Sequence, residues 1–328
     1  MKPTDFAKRL TDFFSSYLPG QQGLSVNTIK SYRDTFSLLL VYCRDVKGVK
    51  IEKFTLNQFN GQFVTNFLDW LETERGNCAR TRNQRLAAIH VFCLYVQSEE
   101  PGHLLQCQQI LAIGTKKHSK PHISYLSAQT LKDIFAKPDL NTRRGRRDLA
   151  ILSVLYDTGA RVSELIDLKV RDVRLDEFPI VQLYGKGSKT RQVPIMRKTA
   201  AMLRDYMGEN KLAAPQMLDH PLFFNNRRER YTRPGITYIL RKYSNDAKIT
   251  PHIMRHSKAM HLLQAGVNII YIRDILGHVD LKTTEVYARA DTEMKRHAME
   301  KAYQDLTPSA TPNWNDDAGL MNWLHDLA

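Results

Sequence analysis

Apolar residues recur every three to four positions along most of the chain, a spacing that predicts helices rather than strands. In residues 4–18, Phe6, Leu10, Phe13 and Phe14 fall on one helical face. A second helix is expected after Ser25, whose hydroxyl suits a cap, with Ile29, Tyr32, Phe36, Leu39 and Leu40 in register. A third runs from about Thr55 to Glu74 and carries Phe59, Phe63, Phe67, Leu68 and Leu71. A fourth, from about Ala79 to Gln97, opens with Arg80, Arg82 and Arg85 and continues with Leu86, Ile89, Val91 and Phe92. Four to five such amphipathic helices predict a small bundle whose aromatic side chains are core.

The periodicity stops at Gly114-Thr115-Lys116-Lys117-His118-Ser119-Lys120-Pro121, which has the composition of a linker. Ser127 then caps a helix, and Arg143, Arg144, Arg146 and Arg147 precede a buried one from Asp148 to Gly159. The period changes to two in Ile180–Tyr184 and Gln192–Ile195, predicting two strands joined by a basic turn with Lys186 and Lys189, followed by Arg191. Residues 197–210 are helical by pattern and 211–225 a loop. Arg227, Arg228, Arg230 and Arg233 then cluster before a helix starting at Ile236. The expected fold is mainly α with a small β-hairpin or sheet. Its parts are a helical domain over 1–113, a basic linker over 114–124 and a mixed α/β domain over 125–303. An acidic tail over 304–328 follows, with an apolar stripe through Trp314, Leu320, Trp323, Leu324 and Leu327.

Charge sharpens this division. The 48 Lys and Arg against 34 Asp and Glu give +14, which points to a polyanionic partner. Residues 1–113 hold 13 basic and 10 acidic side chains, whereas 125–303 hold 32 and 20, so the positive field is concentrated in the second part. Cys43, Cys78, Cys93 and Cys107 lack metal-ligand spacing and are expected as reduced thiols. No stretch approaches the roughly 20 apolar residues that span a bilayer, and the expectation is a cytoplasmic protein.

The chemistry lies in the most basic part. His252 and Arg255, three apart on a helix, share a face and converge on one small anion. Leu276-Gly277-His278 follows, then Tyr287 nine residues later; Gly277 suits a helix end and Asp280 the cap of the next helix. A phenol is a poor nucleophile at neutral pH unless cations crowd its target and a neighbour handles its proton. These residue types therefore point to phosphoryl transfer.

His252-Ile253-Met254-Arg255-His256, Leu276-Gly277-His278 and Tyr287 resemble the C-terminal signature of the tyrosine recombinases, the phage-integrase-like and Xer-like enzymes. Thr158-Gly159-Ala160-Arg161-Val162-Ser163-Glu164-Leu165 resembles that family's upstream box, and Tyr184–Arg191 its hairpin with a lysine. The resemblance is detailed over residues 125 to 300. It implies a DNA-gripping helical (SAM-like) N-terminal domain and a catalytic domain that cuts and rejoins DNA through a 3′-phosphotyrosine. Tyr287 would be the nucleophile, Arg161 and Arg255 would bind the phosphate, His252 and His278 would orient it with one of the two taking the phenolic proton, and Glu164 would support Arg161. Lys186 would be the general acid, in preference to Lys189. Arg80, Arg82, Arg85, Lys116, Lys117, Lys120, Lys189, Arg191, Arg227 and Arg228 are the expected DNA contacts. The partner would be double-stranded DNA, held by a homo-tetramer or by a hetero-tetramer with a paralogous recombinase. The tail would need a groove on its own domain or on a neighbouring protomer, and the family's exchange of C-terminal helices within a tetramer favours the neighbour.

No metal or ATP is expected, since the arginines and the lysine supply the positive charge. His252, His256, His261 and His278 lack metal-site spacing, and Gly185-Lys186-Gly187-Ser188-Lys189-Thr190 lacks that of a nucleotide loop. The rival readings are a type IB topoisomerase-like activity, a non-catalytic DNA-binding accessory protein and a metal-dependent nuclease. Lys258 and Met260 depart from the family's commoner residues after the His-Arg box.

Overall fold

The computed structural model describes residues 3–118, 124–185, 189–244, 246–278, 282–290, 296 and 318–326. The chain divides into two compact units, 1–121 and 122–328.

The first unit is the expected bundle. Its helices are α1 (Asp5–Asp12), α2 (Val26–Asp45), α3 (Gly61–Thr73), α4 (Ala79–Glu99) and α5 (Leu104–Leu111). Phe92 of α4 is fully buried, with the rings of Phe6, Phe13, Phe36 and Phe59 around it at 5.0–5.7 Å between centroids. Burying each such ring contributes about 1.5–3 kcal/mol. Two elements differ from the pattern. After α1 the helix widens into a π-type stretch, Phe13–Gln21, which accommodates Pro19. Pro19 has no amide hydrogen to give, and the wider turn is closed by Gln22 N–H donating to the Tyr17 carbonyl at 3.0 Å. The third expected helix is split at Asn60, whose side-chain oxygen accepts from Phe63 N at 2.9 Å and so starts α3 afresh. Three cysteines, Cys43, Cys93 and Cys107, are buried free thiols, and Cys78 is an exposed one.

The second unit contains α6 (Ala128–Ala136), α7 (Arg143–Thr158) and α8 (Val162–Asp167). Strands β1 (Val173–Arg174), β2 (Ile180–Tyr184) and β3 (Thr190–Pro194) come next. Helices α9 (Arg197–Glu209), α10 (Arg233–Tyr243), α11 (Pro251–Gln264), α12 (Ile269–Leu276) and α13 (Lys282–Ala290) follow. The sheet is antiparallel in the order β1-β2-β3, with Val181 opposite Val193 and Leu183 opposite Arg191. Strand β1 is an addition to the two expected; at two residues it is too short to show a period. Val181, Leu183 and Val193 enter a core with Ile151, Leu155, Leu203, Phe223, Leu240 and Met254.

Arg143, Arg144, Arg146 and Arg147 lie inside the first turns of α7 and not before it, because Thr142 caps the helix by accepting from Gly145 N at 3.0 Å. Cations at a helix N-terminus oppose its dipole. Arg143 is offset by donating to the Glu209 carbonyl, Arg146 by the Glu209 carboxylate and Arg147 by Asp148.

A separate small core forms where α11, α12 and α13 meet, from Ala259, Met260, Leu263, Ile272, Leu276 and Tyr287. Tyr287 is therefore held by packing of its own as well as by polar contacts. Among the described residues, no helix is long and apolar enough to cross a membrane. Of the acidic tail, residues 318–326 are described; Ala318–His325 is helical and Trp323 is exposed.

Candidate active site

Two left-handed glycines shape the site. Gly159 ends α7 at φ +56° and Gly277 ends α12 at φ +65°, conformations that a Cβ would strain. A Cβ on Gly159 would also lie 2.7 Å from a Leu276 methyl. The turns aim backbone carbonyls at two guanidiniums. Arg255 of α11 donates to the Gly159 carbonyl at 2.8 Å and to the Leu276 carbonyl at 2.7 Å, and Arg161 donates to the Gly277 carbonyl at 3.4 Å.

Glu164 orients the other side. Its carboxylate accepts from Arg161 N at 2.8 Å, closing the first turn of α8, and from Arg161 Nη1 at 2.8 Å. It also takes a two-pronged contact from Arg191 of β3, at 2.7 and 3.1 Å. Arg191 is completed by donating through Nε to the Ile275 carbonyl at 2.8 Å. Arg191 thus departs from its expected place among the DNA-facing cations. With its side chain 12% exposed, it ties β3 to α8 and α12. Burial alone would push the Glu164 carboxyl up, but the bonds and charge of Arg191, with the bonds from Arg161, outweigh it and hold it below the usual carboxylate range.

That balance gives a prediction. A folded value below the unfolded one contributes stability above the unfolded value, and this is lost as pH falls through the folded value. Glu164→Gln leaves Arg191 and Arg161 without their carboxylate, and breaking a buried pair from one side costs about 3–5 kcal/mol. Thermal unfolding of the variant should begin at a clearly lower temperature than the parent's at pH 7. The gap should narrow as pH drops below the carboxylate range; a gap constant down to acid pH would contradict the assignment.

Tyr287 is 3% exposed, and its hydroxyl lies 2.8 Å from Nδ1 of His256. Its ring stacks on that of His278, with centroids 6.2 Å apart and planes 13° off parallel. Burial pushes the phenol up, while Arg255 and Arg161 pull it down. His278 bonds the Thr284 hydroxyl at 2.8 Å and is pushed down to about 4 by burial and by Arg255, Arg161 and Arg191. His252 is lowered by burial and by Arg255, Arg161 and Arg233. Arg255 itself, 4% exposed, is pushed down to about 10 by burial and by Arg161. The imidazoles are thus neutral at pH 7, and the guanidiniums supply the charge.

Beside this cluster lies a cavity of about 410 Å³ whose lining includes Arg161, Lys189, Arg191, Arg273 and His278. Asp274 is the one acid among its lining residues. Such a cavity suits an anion with two or more charged oxygens. Among the described residues, no group of three or more His, Cys, Asp or Glu side chains is placed to hold a metal ion.

The structure therefore gathers Arg161, Glu164, Arg255, His278 and Tyr287, and His252 stands on the same helix as Arg255. Lys186 and Lys120 lie outside the described residues, as does Asp280. Lys117, Lys189, Arg227 and Arg228 are exposed. The expected linker is anchored at its start: Lys116 exchanges backbone bonds with the Asn83 side chain and pairs with Glu72. Arg80 is exposed and Arg85 half-buried, but Arg82 is a correction. It is 5% exposed and donates to the Gly114 carbonyl at 2.9 Å, so it fixes the linker's first residue and is not a surface cation. His256, passed over as a site residue in the sequence, is the group that touches the phenol. One signal marks it: it follows Arg255 directly and lies one turn beyond His252.

Residues 124–294 match the phage integrase family, and residues 11–100 match that family's N-terminal SAM-like domain. The chain belongs to the phage integrase family of tyrosine recombinases. These enzymes cleave and rejoin DNA, and the chain is a site-specific recombinase or integrase by descent. It is 35% identical to the integrase/recombinase y4rC of Sinorhizobium fredii, over 99% of each chain. It is 32% identical to the tyrosine recombinase XerD of Oceanobacillus iheyensis, over 92% of this chain and 98% of that one. Its fold is shared with two solved recombinases. One is XerH bound to a palindromic difH substrate after cleavage (TM-score 0.67, 20% identity, 86% of this chain and 82% of that one). The other is the Tn1549 transposon integrase with transposon right end DNA (TM-score 0.67, 16% identity, 88% and 98%).

Proposed function

We infer that this recombinase exchanges DNA strands through a covalent 3′-phosphotyrosine at Tyr287. The observation carrying this reading is the pair of guanidiniums, Arg161 and Arg255, fixed by Glu164 and by carbonyls of the two glycine turns beside a buried phenol. The Tyr287 oxygen attacks a backbone phosphorus, forming a new O–P bond as the bond to the 5′ oxygen breaks. Arg161 and Arg255 bind the non-bridging oxygens, whose charge grows in the transition state. His252 and His278 orient the phosphate by hydrogen bonding, and Lys186 protonates the departing 5′ oxygen. Rejoining reverses these bonds, and because the phosphotyrosine retains the ester, neither ATP nor a metal is required.

DNA is the partner in this reading. The unit over 1–113 holds it through Arg80, Arg85 and neighbours in the recess between α2 and α4. Lys116, Lys117 and Lys120 follow its backbone from the linker over 114–124. Lys189, Arg227 and Arg228 contact it from the catalytic domain over 125–303. Four protomers, of this chain or with a paralogue, join two sites in the cytoplasm, each docking its 304–328 tail on a neighbour. The test is incubation with nicked suicide duplexes cut from the source genome's flanking DNA. Adducts that survive detergent and form fully in EDTA support the reading; adduct formation abolished by chelator would sink it.

A further inference from the structure

We propose that His256 is a catalytic residue, accepting the phenolic proton of Tyr287 during attack and returning it during rejoining. This rests on the strand-exchange reading and names the group that reading leaves open.

Geometry separates the three histidines. A ring nitrogen accepts a proton along its lone pair, which lies in the ring plane. His278 is stacked nearly parallel to the Tyr287 ring, so its lone pairs point along the phenol face and not at its oxygen; its Nδ1 is already engaged by Thr284. The Tyr287 hydroxyl is engaged by His256 and not by His252. The His256 ring is tilted 58° to the phenol and brings Nδ1 to 2.8 Å from its oxygen, within reach for direct transfer. His256 sits in helix α11 one position after Arg255, so the base and the phosphate-binding guanidinium are carried by the same turn.

The surroundings make this base responsive to substrate. His252 and Arg255 face it from its own helix, His278 from the turn after α12 and Tyr287 from α13. Burial, His252 and Arg255 hold the imidazole below its usual value, so it is neutral at pH 7 but a weak base. A phosphate diester bound by Arg161 and Arg255 cancels part of that repulsion, and an anion nearby raises the imidazole's proton affinity. In the step itself the phenolic O–H breaks, its proton passes to Nδ1, the O–P bond forms and the P–O5′ bond breaks. The imidazolium then holds the proton until the phenol leaves in the reverse reaction.

The test is adduct formation on nicked suicide duplexes by the parent and by His256→Gln, which keeps a hydrogen-bonding side chain but cannot take a proton. The variant should bind the duplex like the parent and form adduct about 100-fold more slowly or worse. The parent's rate should fall on the acid side of an imidazole titration, with that limb at higher pH under saturating DNA than under limiting DNA. The variant should lack the limb. Difluorotyrosine at position 287, a more acidic phenol, should restore much of the variant's rate while changing the parent's little. A variant that binds DNA and matches the parent's rate and pH profile would overturn the proposal, as would loss of rate that the acidic phenol does not restore. Absence of adduct with the parent would instead sink the strand-exchange reading beneath it.

Discussion

Tyr287→Phe is expected to abolish covalent attachment to DNA while leaving DNA affinity essentially unchanged. The substitution removes one oxygen from a ring packed in the small core with Ala259, Met260, Leu263, Ile272 and Leu276, and phenylalanine fills the same space. The lost bond to His256 costs about 1 kcal/mol of stability. The chemical loss is total, because no other atom of the side chain can form an ester with phosphorus. A gel-shift assay and a detergent gel on the same duplexes separate the two effects. Persistence of the adduct would mean that another residue attacks. An accessory DNA-binding protein would have nothing to lose at this position.

Arg255→Met should uncouple activity from stability. The fall of the Arg255 guanidinium from 12.5 to about 10 corresponds to roughly 3 kcal/mol of charge held against burial and Arg161. Methionine relieves that cost but forfeits two charge-assisted bonds, to the Gly159 and Leu276 carbonyls, worth about 1.5–3 kcal/mol each. These opposing terms are of similar size, so the unfolding temperature should fall by only a few degrees. Adduct formation should fall by at least about 1,000-fold, the scale on which a preorganised donor to a developing oxyanion acts. Glu164→Gln, by contrast, should lose stability as well. A variant at Arg255 that unfolds as readily as the one at Glu164 would show that Arg255 serves the fold more than the phosphate.

The parts of this protein legible in its sequence are those set by short-range rules. The spacing of Phe36, Leu39, Phe63, Phe67, Leu86 and Phe92 carries the bundle, Ser25 and Ser127 start their helices, and Gly159 and Gly277 end theirs. The site could be anticipated only in part for the same reason: His252 and Arg255 share a helical face, whereas Arg161 and Glu164 were assigned to it by resemblance to the family's upstream box. What could not be seen depended on partners far along the chain. Arg191 and Arg82 look like surface cations until Glu164, 27 residues away, and Gly114, 32 residues away, are folded against them. The break at Asn60 turned on a competition between a side-chain cap and continued helix, which apolar spacing does not register. His256 was overlooked because its partner, Tyr287, is 31 residues away and on a different helix.

The central claim is that one phenolic oxygen replaces one sugar oxygen on phosphorus. It is tested most directly by digesting the detergent-stable adduct and determining which residue carries the nucleotide. The account predicts a single peptide bearing a 3′-phosphate ester on Tyr287, together with a free 5′-hydroxyl on the released strand. A nucleotide on any other residue, or a released strand ending in a 5′-phosphate, would contradict it.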